Sequence, residues 1–498
     1  MAGRNKHIRK SAQPLAEPTV AFVSLGCPKN LIDSERMLGL LAAVGFAITA
    51  DHEHADTIVV NTCGFLEASK TEALEVINAA LELKTKAQRE GRQKRVVVAG
   101  CLVQRQRAKL LDEVPDVDAL VGVFDRENIV AAVRGGAPED VPADLGPFHP
   151  VTQFISKHDR SRKGYFEADD SRLRLTPRHY AYLRISEGCN QGCTFCTIPS
   201  IRGRMRSKPL EAILTEAREL TADGAFELNL IGQDTTSYGT DIGYDGPGQG
   251  LAGLLRALDT QCSAGWVRLM YAYPSCFTDD MIKVIADTGR IVKYIDMPLQ
   301  HINDEILHAM RRKVTRRQIE TLLDKLRRWI PGMAIRTTMI AGFPGETDQQ
   351  HAELVQFVSD FGFDCMGVFE YSPEPGTPAG RLWDTAAVDA GVMASRREEL
   401  MLAKQQVVLK KNRAMIGREI SVLIDKVNRK DRTAAGRCSG QAPDIDGMVL
   451  IDDVAAVPGE LIQVRINNFD GYDLIGKRVK TLKAGKKHST PLPVVGGN

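Results

Sequence analysis

Over the first 135 positions, apolar residues fall in short continuous runs, each followed by a stretch where they recur every three or four residues. Thr19–Leu25 precedes Asp33–Val44, Thr57–Asn61 precedes Glu67–Leu83, and Arg95–Ala99 precedes Gln104–Leu111. Short buried strands alternating with amphipathic helices predict a parallel α/β sheet. From about Gly135 to Pro177 the pattern lapses into Gly, Pro, His and charge, which reads as a linker or irregular excursion.

A second alternating series follows. Its strand candidates are Tyr182–Ile185, Glu227–Ile231, Val267–Tyr271, Lys293–Met297, Ile335–Ile340 and Met366–Tyr371, separated by helical stretches such as Leu210–Ala222 and Arg316–Trp329. Six β–α units predict a partial (β/α)6 barrel, a fold that places its chemistry on loops at the carboxyl ends of the strands. After a helical stretch at Arg396–Lys411 the runs shorten to Ile420–Ile424, Gly447–Ile451 and Leu461–Ile466, which predicts a small antiparallel β-barrel. The expected whole is an α/β multidomain chain with divisions at 18–135, 175–412 and 413–484.

Length agrees, since 498 residues exceed what one core usually serves. A hydrophobic share of 43% and a charged share of 26% describe a folded chain and exclude a disordered one. Net charge is +2, so the molecule as a whole is not a polyanion binder. Residues 411–487 differ, with 15 Lys and Arg against 10 Asp and Glu, and admit RNA as a local partner beside the plainer reading of a solvated basic face.

Met1–Pro18 is polar and basic with no apolar run behind it, so export is not expected. The longest apolar segment, Met37–Ala50, is broken by Gly39, Gly45 and Thr49 and is too short to span a bilayer. A cytoplasmic chain with no membrane association is expected. In that setting ten cysteines are better explained by metal ligation, catalysis or burial than by disulfides.

Six of the ten stand out by position. Cys189, Cys193 and Cys196 lie within eight residues on a loop that follows the first barrel strand, with Gly188 and Gly192 giving the backbone room to wrap a cluster. Thiolate-rich loops hold iron–sulfur clusters or zinc. Cys27, Cys63 and Cys101 each follow a strand of the first sheet, at the carboxyl edge where open α/β sheets place ligands. They form a candidate second triangle, with buried structural thiols as the alternative.

The loop Cys189-Asn-Gln-Gly-Cys193-Thr-Phe-Cys196 resembles the radical S-adenosylmethionine superfamily. Three thiolates on a four-iron cluster leave one iron open for the amino and carboxylate groups of S-adenosylmethionine. An electron then cleaves the sulfonium to a 5′-deoxyadenosyl radical. Phe195, Gly232, Gln233 and Gly342 (the last in Ala341-Gly342-Phe343-Pro344-Gly345-Glu346-Thr347) resemble the cofactor's binding wall, although Thr347 also suits a helix cap.

Ser24-Leu25-Gly26-Cys27, Asn61-Thr62-Cys63-Gly64 and Ala99-Gly100-Cys101 resemble the amino-terminal domain of the methylthiotransferases within that superfamily. The last module is similar to a TRAM domain through Ala442-Pro443-Asp444-Ile445-Asp446-Gly447 and Tyr472-Asp473-Leu474-Ile475-Gly476. The resemblance, from about Pro18 to Leu482, implies two 4Fe-4S clusters, S-adenosylmethionine and an electron donor. Cys262, Cys276, Cys365 and Cys438 match no ligand position and read as incidental thiols.

Two branches of the family compete. Gly26-Cys27-Pro28-Lys29-Asn30, Ile198-Pro199-Ser200-Ile201-Arg202-Gly203 and Ile231-Gly232-Gln233-Asp234-Thr235-Thr236 resemble the branch that modifies the β-carbon of an aspartate in small-subunit ribosomal protein S twelve. The other acts on isopentenylated adenosine in tRNA. A non-catalytic RNA-binding scaffold with structural metal is the third reading. Pro375 and the run Cys438-Ser439-Gly440-Gln441 depart from the family pattern away from any proposed ligand. Arg202, Arg204 and Arg206, with Arg311, Arg312 and Lys313, read as solvated charge, or as a surface for an acidic substrate face or ribosomal RNA.

Overall fold

The computed structural model describes residues 17–136, 151–156, 166, 168–452 and 455–485. Most of Met1–Pro18, and part of the stretch Gly135–Pro177, lie outside the described residues.

Six strands form the first sheet: β1 (Thr19–Ser24), β2 (Ala47–Thr49), β3 (Thr57–Thr62), β4 (Arg95–Gly100), β5 (Ala119–Val121) and β6 (Thr152–Phe154). They lie in the order β2-β1-β3-β4-β5-β6, every pair parallel. Helices pack on both faces. Ala21, Ile58, Val60 and Val98 point to one apolar layer, and Val20, Val59 and Val97 point to the other. That two-sided burial is why these strands read as continuous apolar runs rather than as alternations. The stretch expected to be a linker supplies β6, so it is partly built into the sheet.

The second sheet comprises β7 (Tyr180–Arg184), then, after the two-residue pair β8 (Ser186–Glu187) and β9 (Arg206–Ser207), β10 (Glu227–Ile231), β11 (Trp266–Leu269), β12 (Ile291–Asp296), β13 (Ala334–Ala341) and β14 (Cys365–Glu370). Its six strands run parallel in the order β14-β13-β12-β11-β10-β7 and leave the barrel open, as the six β–α units predict. An open barrel cannot fill its own interior. Tyr180, Tyr182, Ile231, Met270 and Tyr294 line it, and the neighbours plug it with Ile32, from helix Pro28–Ala43, and Ala442, from the third unit.

The third unit closes β15 (Glu419–Asn428), β16 (Thr433–Cys438), β17 (Val449–Ile451), β18 (Leu461–Asp470) and β19 (Asp473–Lys483) into a barrel. The small antiparallel barrel expected from the sequence is present and contains one like-directed pair. Four pairs are antiparallel but β17 and β19 run parallel. Strand direction cannot alternate all the way round a closed ring with an odd number of strands, so one like-directed pair is required.

Buried charges bind this unit to the open barrel. Arg437 pairs with Glu227 at 2.7 Å, and Arg268 meets the other carboxylate oxygen at 2.7 Å while donating to Ser439 O at 2.8 Å. Tyr180 and Tyr294 donate to Asp444 and Asp446 at 3.1 and 2.8 Å. Among the described residues no helix is long and apolar enough to cross a membrane.

Candidate active site

The first three cysteines arrive where their strands end. Cys27 caps the start of helix Pro28–Ala43, Cys63 follows β3, and Cys101 opens helix Cys101–Gln106 directly after β4. Because β1, β3 and β4 are adjacent parallel strands, their carboxyl ends bring the three loops together. The loops approach so closely that two glycines are needed. A Cβ on Gly26, whose φ is +87°, would lie 2.6 Å from Cys63 Cβ, and one on Gly64 would lie 2.6 Å from Leu102 Cα. Cys63 and Cys101 are buried. Burial pushes the Cys101 thiol up to about 12, opposed by the Arg202 guanidinium.

Cys189, Cys193 and Cys196 lie past the carboxyl end of β7 on a loop held from several sides. Thr194 donates through its amide to Met310 O at 3.1 Å and through its hydroxyl to Ala309 O at 2.8 Å. Gln191 donates to Asp234 at 2.6 Å, which ties the loop to the segment after β10. Arg312 places Nη1 3.4 Å from Cys193 Sγ and stacks over the Tyr273 ring at 4.1 Å. Burial raises the Cys189 thiol to about 11 and the Cys196 thiol to about 12.

The loops that carry the two sets meet at the junction between the sheets. Arg202 Nη2 lies 3.1 Å from Cys101 Sγ and 2.9 Å from Asp33, and its Nη1 lies 2.9 Å from Glu187. Thr197, next to Cys196, donates to Phe65 O at 3.3 Å, two residues past Cys63. Arg105 reaches Gly64 O at 2.9 Å and Glu374 at 2.7 Å. Two cysteine loops more than 80 residues apart in sequence therefore share one interface.

The other expected positions divide into two groups. Gln233 donates to Glu187 at 2.6 Å, and a Cβ on Gly232 would lie 2.6 Å from Ser186 Oγ, so both line the seam beside β8. Phe195 packs with Phe343, Tyr371, Trp383 and Met393, next to the Gly342 loop. Gly342 has φ +75°, and a Cβ there would collide with Met393. Thr347 accepts from the Gln350 amide at 3.3 Å in a capping box, so it is a helix cap.

Several residues take roles that the sequence did not assign. Arg202 and Arg312 are buried, not solvated, because their counter-charges and stacking partners come from distant segments. Glu346 fixes the Gly342 loop by accepting from the Gly342 amide, from His301 at 3.1 Å and from Arg396 at 3.2 Å. Burial pushes its carboxyl up, but its hydrogen bonds, that from His301 first, hold it down to about 2. Cys276 is not remote: Gln191 Nε2 and Ser237 Oγ each lie 3.4 Å from its sulfur.

Both donor sets suit an iron–sulfur group. Each offers three thiols, with no carboxylate or imidazole among them, on loops with glycine at the tight positions, and each has a buried arginine to offset thiolate charge.

Comparison with known proteins follows the same three-part division. Residues 19–122 match the model of Uncharacterized protein family UPF0004, 183–358 the Radical SAM superfamily and 416–479 the TRAM domain. The Ribosomal protein uS12 methylthiotransferase RimO of Bdellovibrio bacteriovorus is 42% identical over 463 residues, which are 92% of this chain and 97% of the relative. That of Geobacter sulfurreducens is 42% identical over 466 residues, 93% and 99% of the two chains.

The chain belongs to the RimO methylthiotransferase family. Among solved structures, the radical S-adenosylmethionine methyltransferase TsrM from Kitasatospora setae superposes with TM-score 0.52 at 14% identity, covering 78% of this chain and 89% of that one, a likeness of fold. Membership of the RimO family and the radical SAM superfamily implies a 4Fe-4S cluster and S-adenosylmethionine.

Proposed function

We propose that this chain places a methylthio group on the β-carbon of an aspartate in small-subunit ribosomal protein uS12, the substrate named for its relatives. The observation that supports the reading is the meeting of the two cysteine-bearing regions at one buried interface, with Arg202 reaching from one side to Cys101 on the other. Insertion of sulfur at an unactivated carbon requires a radical source and a sulfur source close together.

Cys189, Cys193 and Cys196 would hold the cofactor cluster, and Cys27, Cys63 and Cys101 would hold a second that supplies the sulfur. One S-adenosylmethionine would supply the methyl group and a second, on reduction, the radical that takes hydrogen from a carbon whose C–H bond is not acidic. The chain supplies position and burial. Phe195 and Gly342, whose loop Glu346 holds, together with Gly232 and Gln233 would form the wall of the cofactor site. Arg202 and Arg312 balance thiolate charge.

The division of labour is 18–135 for sulfur donation, 175–412 for radical chemistry and 413–484 for contact with ribosomal RNA through its basic surface. An electron donor and a cytoplasmic setting complete the reading. To test it, loaded enzyme is incubated with reductant, sulfide and S-adenosylmethionine, with uS12 and separately with isopentenylated tRNA. A gain of about 46 Da on a uS12 aspartate, hydrogen replaced by a methylthio group, is expected. The same gain on tRNA alone would contradict the substrate and leave both thiol sets in place.

A further inference from the structure

Lys29 is the second residue of helix Pro28–Ala43 and lies two positions from Cys27, yet it is only 6% exposed. Its Nζ sits 2.8 Å from the centroid of the Tyr271 ring, which follows β11 at the barrel mouth. Among the described residues this ammonium has no hydrogen-bond partner and no carboxylate within ion-pair distance, and the neighbour that most favours its charge is Cys27. The nearby acids are committed elsewhere. Asp296 accepts from Arg336 and from the Tyr271 amide, each at 3.2 Å. Glu187 accepts from Arg184 at 2.5 Å, Arg202 at 2.9 Å and Gln233 at 2.6 Å.

A buried ammonium whose hydrogen-bond donors are unused is costly. Here a π-face backs it, and the first turn of its own 16-residue helix contains no acidic side chain and turns its positive end the same way. The unused N–H donors of Lys29 can receive a carboxylate.

We propose that Lys29 binds the side-chain carboxylate of the substrate aspartate and is the residue that makes the site select an acidic side chain. The proposal rests on the uS12 reading above. The β-carbon of aspartate is bonded directly to the carboxylate carbon. A carboxylate held at Lys29 therefore brings the reacting carbon to the side of the interface that carries Cys27, where sulfur is delivered.

The test is a double-mutant cycle on equilibrium binding, with loaded enzyme, S-adenosylmethionine and no reductant so that nothing turns over. Wild type, Lys29→Gln and Lys29→Arg are each titrated with uS12 and with uS12 carrying Asn at the modified aspartate, and iron content is checked for each. Wild type should prefer aspartate over asparagine by about tenfold or more, as a charge-assisted hydrogen bond requires. Lys29→Arg should keep that preference and Lys29→Gln should bring it close to one.

Equal affinity of wild type for the two substrates would overturn the proposal whatever the variants do, and so would a preference retained by Lys29→Gln. The same wild-type preparation is then reduced. Product on uS12 together with an unaltered preference in Lys29→Gln sinks the role of Lys29 alone, whereas no product on uS12 sinks the substrate reading and this proposal with it.

Discussion

Arg202 donates to the sulfur of Cys101 at 3.1 Å, so a residue just past the Cys189–Cys196 loop touches a thiol of the other sheet. The same guanidinium is held by Asp33 and Glu187, which also share Arg184. Charge and geometry at Cys101 thus depend on a residue from the second sheet's unit.

Arg202→Met should destabilise the chain by about 3–5 kcal/mol, since removing one member of a buried ionic cluster leaves its carboxylates uncompensated. Arg202→Lys should recover part of the loss, because it restores the charge but not the planar fork. Urea unfolding of the three proteins checks the order. A loss below about 1 kcal/mol for Arg202→Met, the value of an exposed pair, would mean that the cluster does not bind the sheets together.

The two thiol sets should separate by function. Cys193→Ala should abolish 5′-deoxyadenosine formation with dithionite while keeping about four irons in the first domain. Cys63→Ala should still cleave the cofactor yet yield no methylthio product. Wild-type cleavage by the first variant, or an unchanged product yield from the second, removes the corresponding assignment.

If the third unit served recognition alone, its deletion would weaken substrate turnover more than uncoupled cofactor cleavage. Its contacts argue for a wider effect. Glu227 is fully buried against Arg437 and Arg268, and Ala442 fills the barrel interior. Arg437→Met should cost about 3–5 kcal/mol, and truncation at Lys411 should impair uncoupled cleavage along with turnover. Full uncoupled cleavage by a soluble truncated chain would restore the simpler division.

Glu346 gives a pH dependence with a definite sign. Its carboxyl ordinarily titrates near 4.5 and is held down to about 2 in the fold. A depressed carboxylate contributes stability that is complete above the unfolded value and is lost as pH falls through the folded one. Glu346→Gln should therefore be less stable than wild type by about 2 kcal/mol at pH 7, with the gap shrinking below about pH 4.5 and nearly closed by about pH 2. Apoprotein unfolding across that range measures it. A gap that widens in acid would mean that Glu346 is not the anchor of the Gly342 loop.

Much of the frame was legible because both parallel sheets are buried on two faces, which writes runs such as Ile58-Val59-Val60 directly into the chain. Three-residue strands such as Ala47–Thr49 and Ala119–Val121 carry too few side chains to register a period. β16 was missed because Thr433–Cys438 contains only small residues and one arginine between its ends. The thiol positions were legible from strand ends and spacing. What surrounds them was not. Burial of Arg202, Lys29 and Arg312 is decided by partners such as Asp33, Tyr271 and Tyr273, and a run of basic residues looks the same in sequence whether it meets water or a carboxylate.

The account turns on the substrate, and intact-mass and peptide mass spectrometry of uS12 from cells with and without this gene addresses it directly. The account predicts a uS12 aspartate heavier by about 46 Da only where the gene is present, with the methylthio content of tRNA unchanged by its loss. An unmodified uS12 in both strains, or a methylthio group lost from tRNA instead, would contradict it.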